Sequence, residues 1–254
     1  MARGRILLNR QARSVTLQAD GSLLLDNGNP LLDEPQWLAP VTGTVYGAAL
    51  NHRSLTESLA AAFEDAPYKA APQAPVLFIK TSNTQIGHGA AIPFPAGVAR
   101  IQAGGALGVV IGKQARKVSA AEALQYVEGY TVVNEVSLPE DSFYRPAVKA
   151  KCRDGFCPIG PWLVPADGID PAALEVETYV NGALRETNRC ADLLRSVPQL
   201  IADVSAFMTL QPGDLLIAGT PLRSVDLQPG DVVTVAIAGI GRLENPVLAE
   251  EATR

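Results

Sequence analysis

Only two histidines, His52 and His88, and three cysteines, Cys152, Cys157 and Cys190, occur among the 254 residues, and no cysteine pair has CxxC spacing. An odd, scattered set of thiols argues against a disulfide framework or a thiolate zinc site, and fits a reducing, cytoplasmic setting. No glycine-rich phosphate loop follows any strand-like run, which disfavours kinase-like and dinucleotide-binding readings. No apolar run is long enough to span a bilayer, and in the opening stretch MARGRILLNRQARSV only Ile6 to Leu8 is apolar, too short for a signal peptide. Basic residues form no cluster longer than a few positions and the formal net charge is −5, so neither nucleic acid nor membrane is an expected partner. What is present is ordinary globular material. Apolar residues make up 47% and charged residues 19%, enough to bury a full core without covalent staples.

Turn signals are frequent and the strand-like runs between them are short. Ser14 to Gln18 and Ser22 to Leu25 flank Ala19-Asp20-Gly21 and read as a hairpin; Pro30, Pro35 and Pro40 then punctuate a connection. We place a soft boundary there, dividing a small β-rich unit, 1–43, from a core domain, 44–254. Thr44 to Leu50 and Val76 to Ile79 read as strands, the second delivering Lys80 to its end. Ser54-Leu55-Thr56-Glu57 has capping-box spacing and predicts a helix over 54–65. Ser119-Ala120-Ala121-Glu122 repeats the spacing and predicts a helix to Glu128, terminated by Gly129, between strands at Leu107 to Ile111 and Tyr130 to Val133. Leu174 to Val180 alternates and runs into Asn181-Gly182, the strongest hairpin signal in the chain. Leu200, Ile201, Val204 and Phe207 mark one face of a further helix. Gln211-Pro212-Gly213-Asp214 and Gln228-Pro229-Gly230-Asp231 each place Pro and Gly as a type II turn requires, and Val232 to Ala238 is the last predicted strand. The fold class read from this pattern is α+β and β-rich, with mixed sheets and few short helices.

Several separated blocks carry a resemblance: Gly112 to Asn134, then Phe156-Cys157-Pro158-Ile159-Gly160-Pro161-Trp162, then Phe207 to Leu210 and Ala218-Gly219-Thr220-Pro221. In order and spacing they are similar to the fumarylacetoacetate hydrolase family, over roughly four-fifths of the chain. The resemblance implies a compact β-roll or sandwich core. Gly47 to Ser54, Pro67 to Ala70 and Phe143 to Phe156 resemble more narrowly the first half of a tandem-duplicated branch of that family, active in bacterial 4-hydroxyphenylacetate degradation. That branch isomerises a carboxymethyl-hydroxymuconate and decarboxylates an oxo-tricarboxylate. Partners implied are a small dicarboxylate or tricarboxylate oxo or enol acid, and either a second copy of the chain or a homologous metal-competent subunit.

In the family a divalent cation chelates an α-keto or enol acid and stabilises the enolate, a role that needs hard oxygen ligands. The usual pattern, Glu-x-Glu-Leu before the Val-Ile-Gly strand and Asp after the following Asn, reads here as Gly104-Gly105-Ala106-Leu107 and Asn134-Glu135. Two of three carboxylates are replaced. We therefore expect no cation at the usual site, and Mg in a partner subunit. The family's His-Glu pair on the lid helix falls on Leu55 and Ser58. Lys80, Lys151 and Thr220 match family positions that line the substrate pocket; Lys80, Arg145 and Thr220 are expected to bind substrate, with Glu135, Lys151 and His52, which stands where relatives have Tyr, as catalytic candidates. An equal alternative leaves Lys80 and Lys151 holding inherited loops through salt bridges. For Cys152 and Cys157 packing is the preferred reading, and His88 is expected in a turn beside the pocket. Three functions stay open: an isomerase/decarboxylase subunit, a non-catalytic structural subunit pairing with a metal-competent paralogue, and a metal-dependent acylpyruvate hydrolase.

Overall fold

A six-stranded mixed sheet stands at the centre of the chain, in the spatial order Val164–Pro165, Val127–Asn134, Gly105–Ile111, Leu215–Ile217, Val45–Ala49, Val76–Lys80. All seven residues of Gly105–Ile111 are buried, as a strand covered on both faces must be. Its odd positions, Leu107, Val109 and Ile111, face a cluster completed by Val176, Val235, Ile237 and Leu243 of a five-stranded sheet, and by Leu200, Ile201 and Val204 of the helix Val197–Phe207. Ala106 and Val110 face the other way, against Val45, Leu215 and Ile217 and beneath Ile159, Leu163, Ala39 and Val41. The computed structural model describes residues 1–140, 146–221 and 225–250.

The N-terminal residues form a four-stranded antiparallel sheet in the order Leu23–Leu25, Gln11–Leu17, Arg3–Leu8, Gln36–Leu38. The predicted hairpin is present, and Arg3–Leu8, unremarked in the sequence, pairs beside it as one of the sheet's two inner strands. This sheet is stitched to the core by reciprocal backbone bonds between Arg3 and Leu163 and by an edge-to-face contact of Trp37 with Trp162 at 4.9 Å.

Turn chemistry is where sequence and structure agree most closely. Asn181 and Gly182 have φ of 52° and 78°, as a primed hairpin turn demands. Gly213 and Gly230 take φ of 89° and 93°. In both echoes the Asp closes the turn: Asp214 accepts from Gln211 N at 2.8 Å and Asp231 from Gln228 N at 2.7 Å.

Helix lengths and the C-terminus differ from expectation. The first helix is only Arg53–Ser58 and is capped at His52 without a side-chain bond. Ser58 Oγ donates to the Leu55 carbonyl at 2.7 Å, and Leu59 N bonds back to Thr56 O in a tightened last turn, so local hydroxyl and 3₁₀ bonding ends the helix early. Leu55 and Phe63 are nevertheless buried together. Ser119 Oγ does bond Glu122, at 2.7 Å, yet only the single turn Ala123–Tyr126 follows, because pairing with Gly105–Ile111 claims the chain from Val127 onward. Gly129 ends no helix. It lies within that strand, where a Cβ would collide with the Val164 carbonyl. Phe207 is exposed rather than inward, because it is the last residue of its helix. A strand beyond the last expected one, Gly241–Ala249, follows, and its start, Gly241-Arg242, with no apolar side chain, masked its alternation.

Candidate active site

Three strands run their C-terminal ends toward one region. Val127–Asn134 delivers Glu135, Leu215–Ile217 delivers Thr220, and Val45–Ala49 delivers Leu50 and Asn51. Asn51 fixes the last two relative to each other: its Nδ2 donates to Ala218 O at 2.7 Å and to Arg195 O at 3.0 Å, while its Oδ1 accepts from Arg195 N at 2.9 Å. The short helix Val148–Lys151 brings Lys151 in from the side. Between these elements lies a cavity of about 200 Å³ walled by Glu135, Lys151, Thr220, Gln102, Ser137 and Glu140, with Leu50, Leu55, Leu59 and Phe78 as its apolar part. A second, mostly apolar chamber of about 350 Å³ adjoins it, and the two share Ala49, Phe78, Glu140 and Lys151.

The floor is a buried charge cluster. Glu135 Oε1 lies 2.6 Å from Lys80 Nζ, and Oε2 lies 2.9 Å from Lys151 Nζ. Lys151 Nζ also reaches Glu140 Oε2 at 2.8 Å and sits over the Phe78 ring, 4.7 Å from its centroid. Lys80 Nζ donates to the carbonyls of Val136, Lys151 and Phe156 at 2.6, 2.9 and 2.9 Å. With three protons and four oxygens in reach, its hydrogens go to the carbonyls, and Glu135 Oε1 is left with a charge contact rather than a directed bond. Burial pushes the Glu135 carboxyl up, but Lys151 and Lys80 outweigh it and hold it below the usual carboxylate range. Burial likewise pulls Lys151 down, and Glu135 and Glu140 outweigh that and hold it above the usual ammonium range. Both groups are therefore ionised at neutral pH.

The six residues singled out in the sequence are not all brought together. Glu135, Lys151 and Thr220 share the cavity wall. Lys80 stands behind Glu135 with its protons committed to backbone carbonyls, so a direct bond to substrate is replaced by a positioning role. His52 opens on a different depression, of about 520 Å³, with Arg185, Arg189, Glu175 and Asp192. Its Nδ1 contacts Ser54 Oγ at 2.9 Å, its Nε2 is buried with no hydrogen-bond partner among the described residues, and burial lowers its pKa against the opposing pull of Asp192. Among the described residues no hydrogen bond or ion pair links it to Glu135, although Pro221 borders both depressions. Arg145 lies outside the described residues. Leu55 faces the cavity and Ser58 bonds its own helix, so that wall carries no acid/base pair. His88 sits beside Glu244, whose backbone N–H donates to its Nδ1 at 3.1 Å, and not on the cavity. Glu140 was missed altogether; it follows Leu138-Pro139 outside any periodic element, and only its ion pair with Lys151 and its place on the cavity wall mark it.

The family's cation positions can be tested against these side chains. A Cβ on Gly104 would lie 2.9 Å from Thr220 Cγ2 and 3.0 Å from Glu135 O, so the side-chain direction is crowded by Thr220 and the Glu135 backbone, and Gly104 itself offers no side-chain donor. Ala106 is fully buried among Val45, Val110 and Val133, with Phe78 packed alongside. The remaining carboxylate is neutralised by two ammonium groups. That donor set does not suit a hard divalent cation, which needs several uncommitted oxygens. Among the described residues no three His, Cys, Asp or Glu side chains group so as to hold a metal ion, and no helix is long and apolar enough to cross a membrane.

Comparison with known proteins agrees with this architecture. Residues 44–248 match the family model described as fumarylacetoacetate (FAA) hydrolase C-terminal. The 4-hydroxyphenylacetate degradation bifunctional isomerase/decarboxylase of Escherichia coli is 48% identical over 208 residues, covering 82% of this chain and 48% of that protein. The chain thus spans about half the length of the curated relatives it matches. Among solved structures, 5-carboxymethyl-2-hydroxymuconate delta-isomerase from Mycobacterium smegmatis superposes with a TM-score of 0.83 at 32% identity, covering 99% of this chain and 100% of that one. The 2-hydroxyhepta-2,4-diene-1,7-dioate isomerase from Mycobacterium marinum gives 0.80 at 31% identity, covering 98% and 99%.

Proposed function

The chain belongs to the fumarylacetoacetate hydrolase family, and on that premise we propose that it isomerises a dienol di- or tricarboxylate of 4-hydroxyphenylacetate breakdown by proton transfer alone. The substrate we assign is 5-carboxymethyl-2-hydroxymuconate. The observation that carries the reading is the Glu135 carboxylate clasped by Lys80 and Lys151 where the family pattern implies a carboxylate-bound cation. Isomerising a dienol to a conjugated ketone needs an enolate-stabilising charge and a proton carrier. Lys151, on the cavity wall and held protonated, supplies the first without a cation. Thr220 and Ser137 offer hydroxyls to a substrate carboxylate or carbonyl.

Loss of CO₂ from an oxo-tricarboxylate generates a more demanding enolate. We assign that step, 5-oxopent-3-ene-1,2,5-tricarboxylate decarboxylation, to a homologous subunit with intact cation ligands, in which Mg is expected. This chain would serve such an assembly as its isomerase half, in the cytoplasm, as a heterodimer or beside a second copy of itself. The bare wall at Leu55 and Ser58 favours one other reading, a non-catalytic structural subunit. The acylpyruvate hydrolase reading requires a chelated cation, which the donor set disfavours.

The test is turnover of 5-carboxymethyl-2-hydroxymuconate by the purified chain in EDTA, followed by loss of the dienol's near-ultraviolet absorbance. Sustained turnover supports the isomerase. Absence of turnover until the paralogue is added supports the structural subunit. Micromolar Mg²⁺ or Mn²⁺ binding that depends on Glu135 would revive the hydrolase.

A further inference from the structure

Within that isomerase reading, on which it rests, we propose that Glu140 is the catalytic group that carries the proton, while Glu135 is a fixed counter-charge. Three titratable groups among the described residues line the cavity: Glu135, Glu140 and Lys151. Glu135 is buried, held between two ammonium groups, and its backbone is pinned by the Gly104 carbonyl. A carboxylate so clasped keeps its charge and gives no proton.

Glu140 differs on each count. Among the described residues its ion pair is to Lys151 alone, its side chain is 12% exposed against 4% for Glu135, and it borders both chambers. A substrate lying across the junction passes its carboxylate.

The step balances without any co-reactant. Glu140 takes the proton of the dienol hydroxyl, breaking O–H. The oxygen electron pair forms C=O, the conjugated π electrons shift outward, and the distal carbon takes the proton back from the Glu140 carboxyl, forming C–H. One O–H is exchanged for one C–H, and the carboxylate is restored. In the intermediate the negative charge moves from Glu140 to the enolate oxygen while staying beside Lys151, so no charge is separated from its partner. The same Lys151 thus serves both states.

The experiment uses the full chain with 5-carboxymethyl-2-hydroxymuconate in EDTA, comparing wild type, Glu140→Gln and Glu140→Asp. The expected result is a fall in kcat of about 100-fold or more for Glu140→Gln with KM within about 3-fold, and partial recovery in Glu140→Asp. Near-ultraviolet circular dichroism confirms that each variant is folded. An active wild type with Glu140→Gln unchanged in kcat overturns the role of Glu140 and leaves the isomerase reading standing. An inactive wild type overturns the isomerase reading, and Glu140's part with it.

Discussion

Replacing Lys80 by methionine tests whether the cluster is built as described. The side chain is buried, and its ammonium is within 2.9 Å of three carbonyl oxygens and one carboxylate oxygen. Methionine conserves most of the volume, so the cavity term is small and the polar terms dominate. Three buried carbonyls lose their donor, at about 1 kcal/mol or more each. Glu135 also loses one of its two counter-charges; breaking a buried pair outright costs about 3–5 kcal/mol, and Lys151 offsets part of that here. A loss of about 4 kcal/mol is the expected minimum, or a fall in Tm of roughly 10 °C for a chain of this size. Urea unfolding gives the free energy if the transition is reversible, and otherwise the unfolding rate serves. The Lys80→Met/Glu135→Met pair should lose less than the two single losses together, by about 1.5–3 kcal/mol, because the second change removes the charge that the first left exposed. A Lys80→Met protein within 1 kcal/mol of wild type, or strict additivity, would refute the assignment.

Glu135 sets a pH signature. Its folded pKa lies below the unfolded value of about 4.3, so its contribution is present above that pH and is lost as pH falls through the folded value; acid melts should steepen below about pH 4, and Glu135→Met should flatten that limb. Gly47→Ala places a methyl inside the Phe78 ring's envelope, and overpacking of about 1–3 kcal/mol with a displaced Phe78 should weaken substrate binding; an unaltered KM and Tm would contradict the close approach. Thiol labelling of the native chain should find one fast cysteine, Cys152, since Cys157 and Cys190 are buried with thiols pushed up to about 12; a second fast thiol would show the interior to be open. His52→Ala should leave isomerase kcat within about 3-fold, because His52 borders the other depression, and a loss of 100-fold would restore it to the site.

Local rules made the turns legible and long-range pairing made the site hard to see. Asn181-Gly182 and the two Gln-Pro-Gly-Asp turns are encoded within four residues each, and the structure realises all three. Helix 54–65 was cut short by local hydroxyl and 3₁₀ bonding, whereas Gly129 failed for the opposite reason. Capping-box spacing is a local preference, and at Val127 a strand partner 16 residues upstream, Ile111, overrides it. At the site, the resemblance brought Glu135, Lys151 and Thr220 into view as positions. It did not reveal that Lys80 turns inward, since its acceptors are carbonyls 56 to 76 residues away. No side-chain pattern announces a backbone acceptor.

The same reasoning explains why the replacements form a consistent set. Glutamates at 104 and 106 would add two negative charges beside Glu135 and require a cation to hold them together. With Gly104 and Ala106 in place, one carboxylate remains, and Lys80 and Lys151 already neutralise it. Lys151 would then carry one positive charge more than Glu135 can balance, and Glu140 supplies the compensating negative at the one point where the cluster meets the cavity. Two ammonium groups and two carboxylates close the balance at zero, and of these four the one that has a single ionic partner among the described residues and a wall on both chambers is Glu140. A cluster neutral at rest can pass a negative charge to a bound enolate only by taking up the proton that the enol releases, which is why proton transfer and charge stabilisation are here the same event.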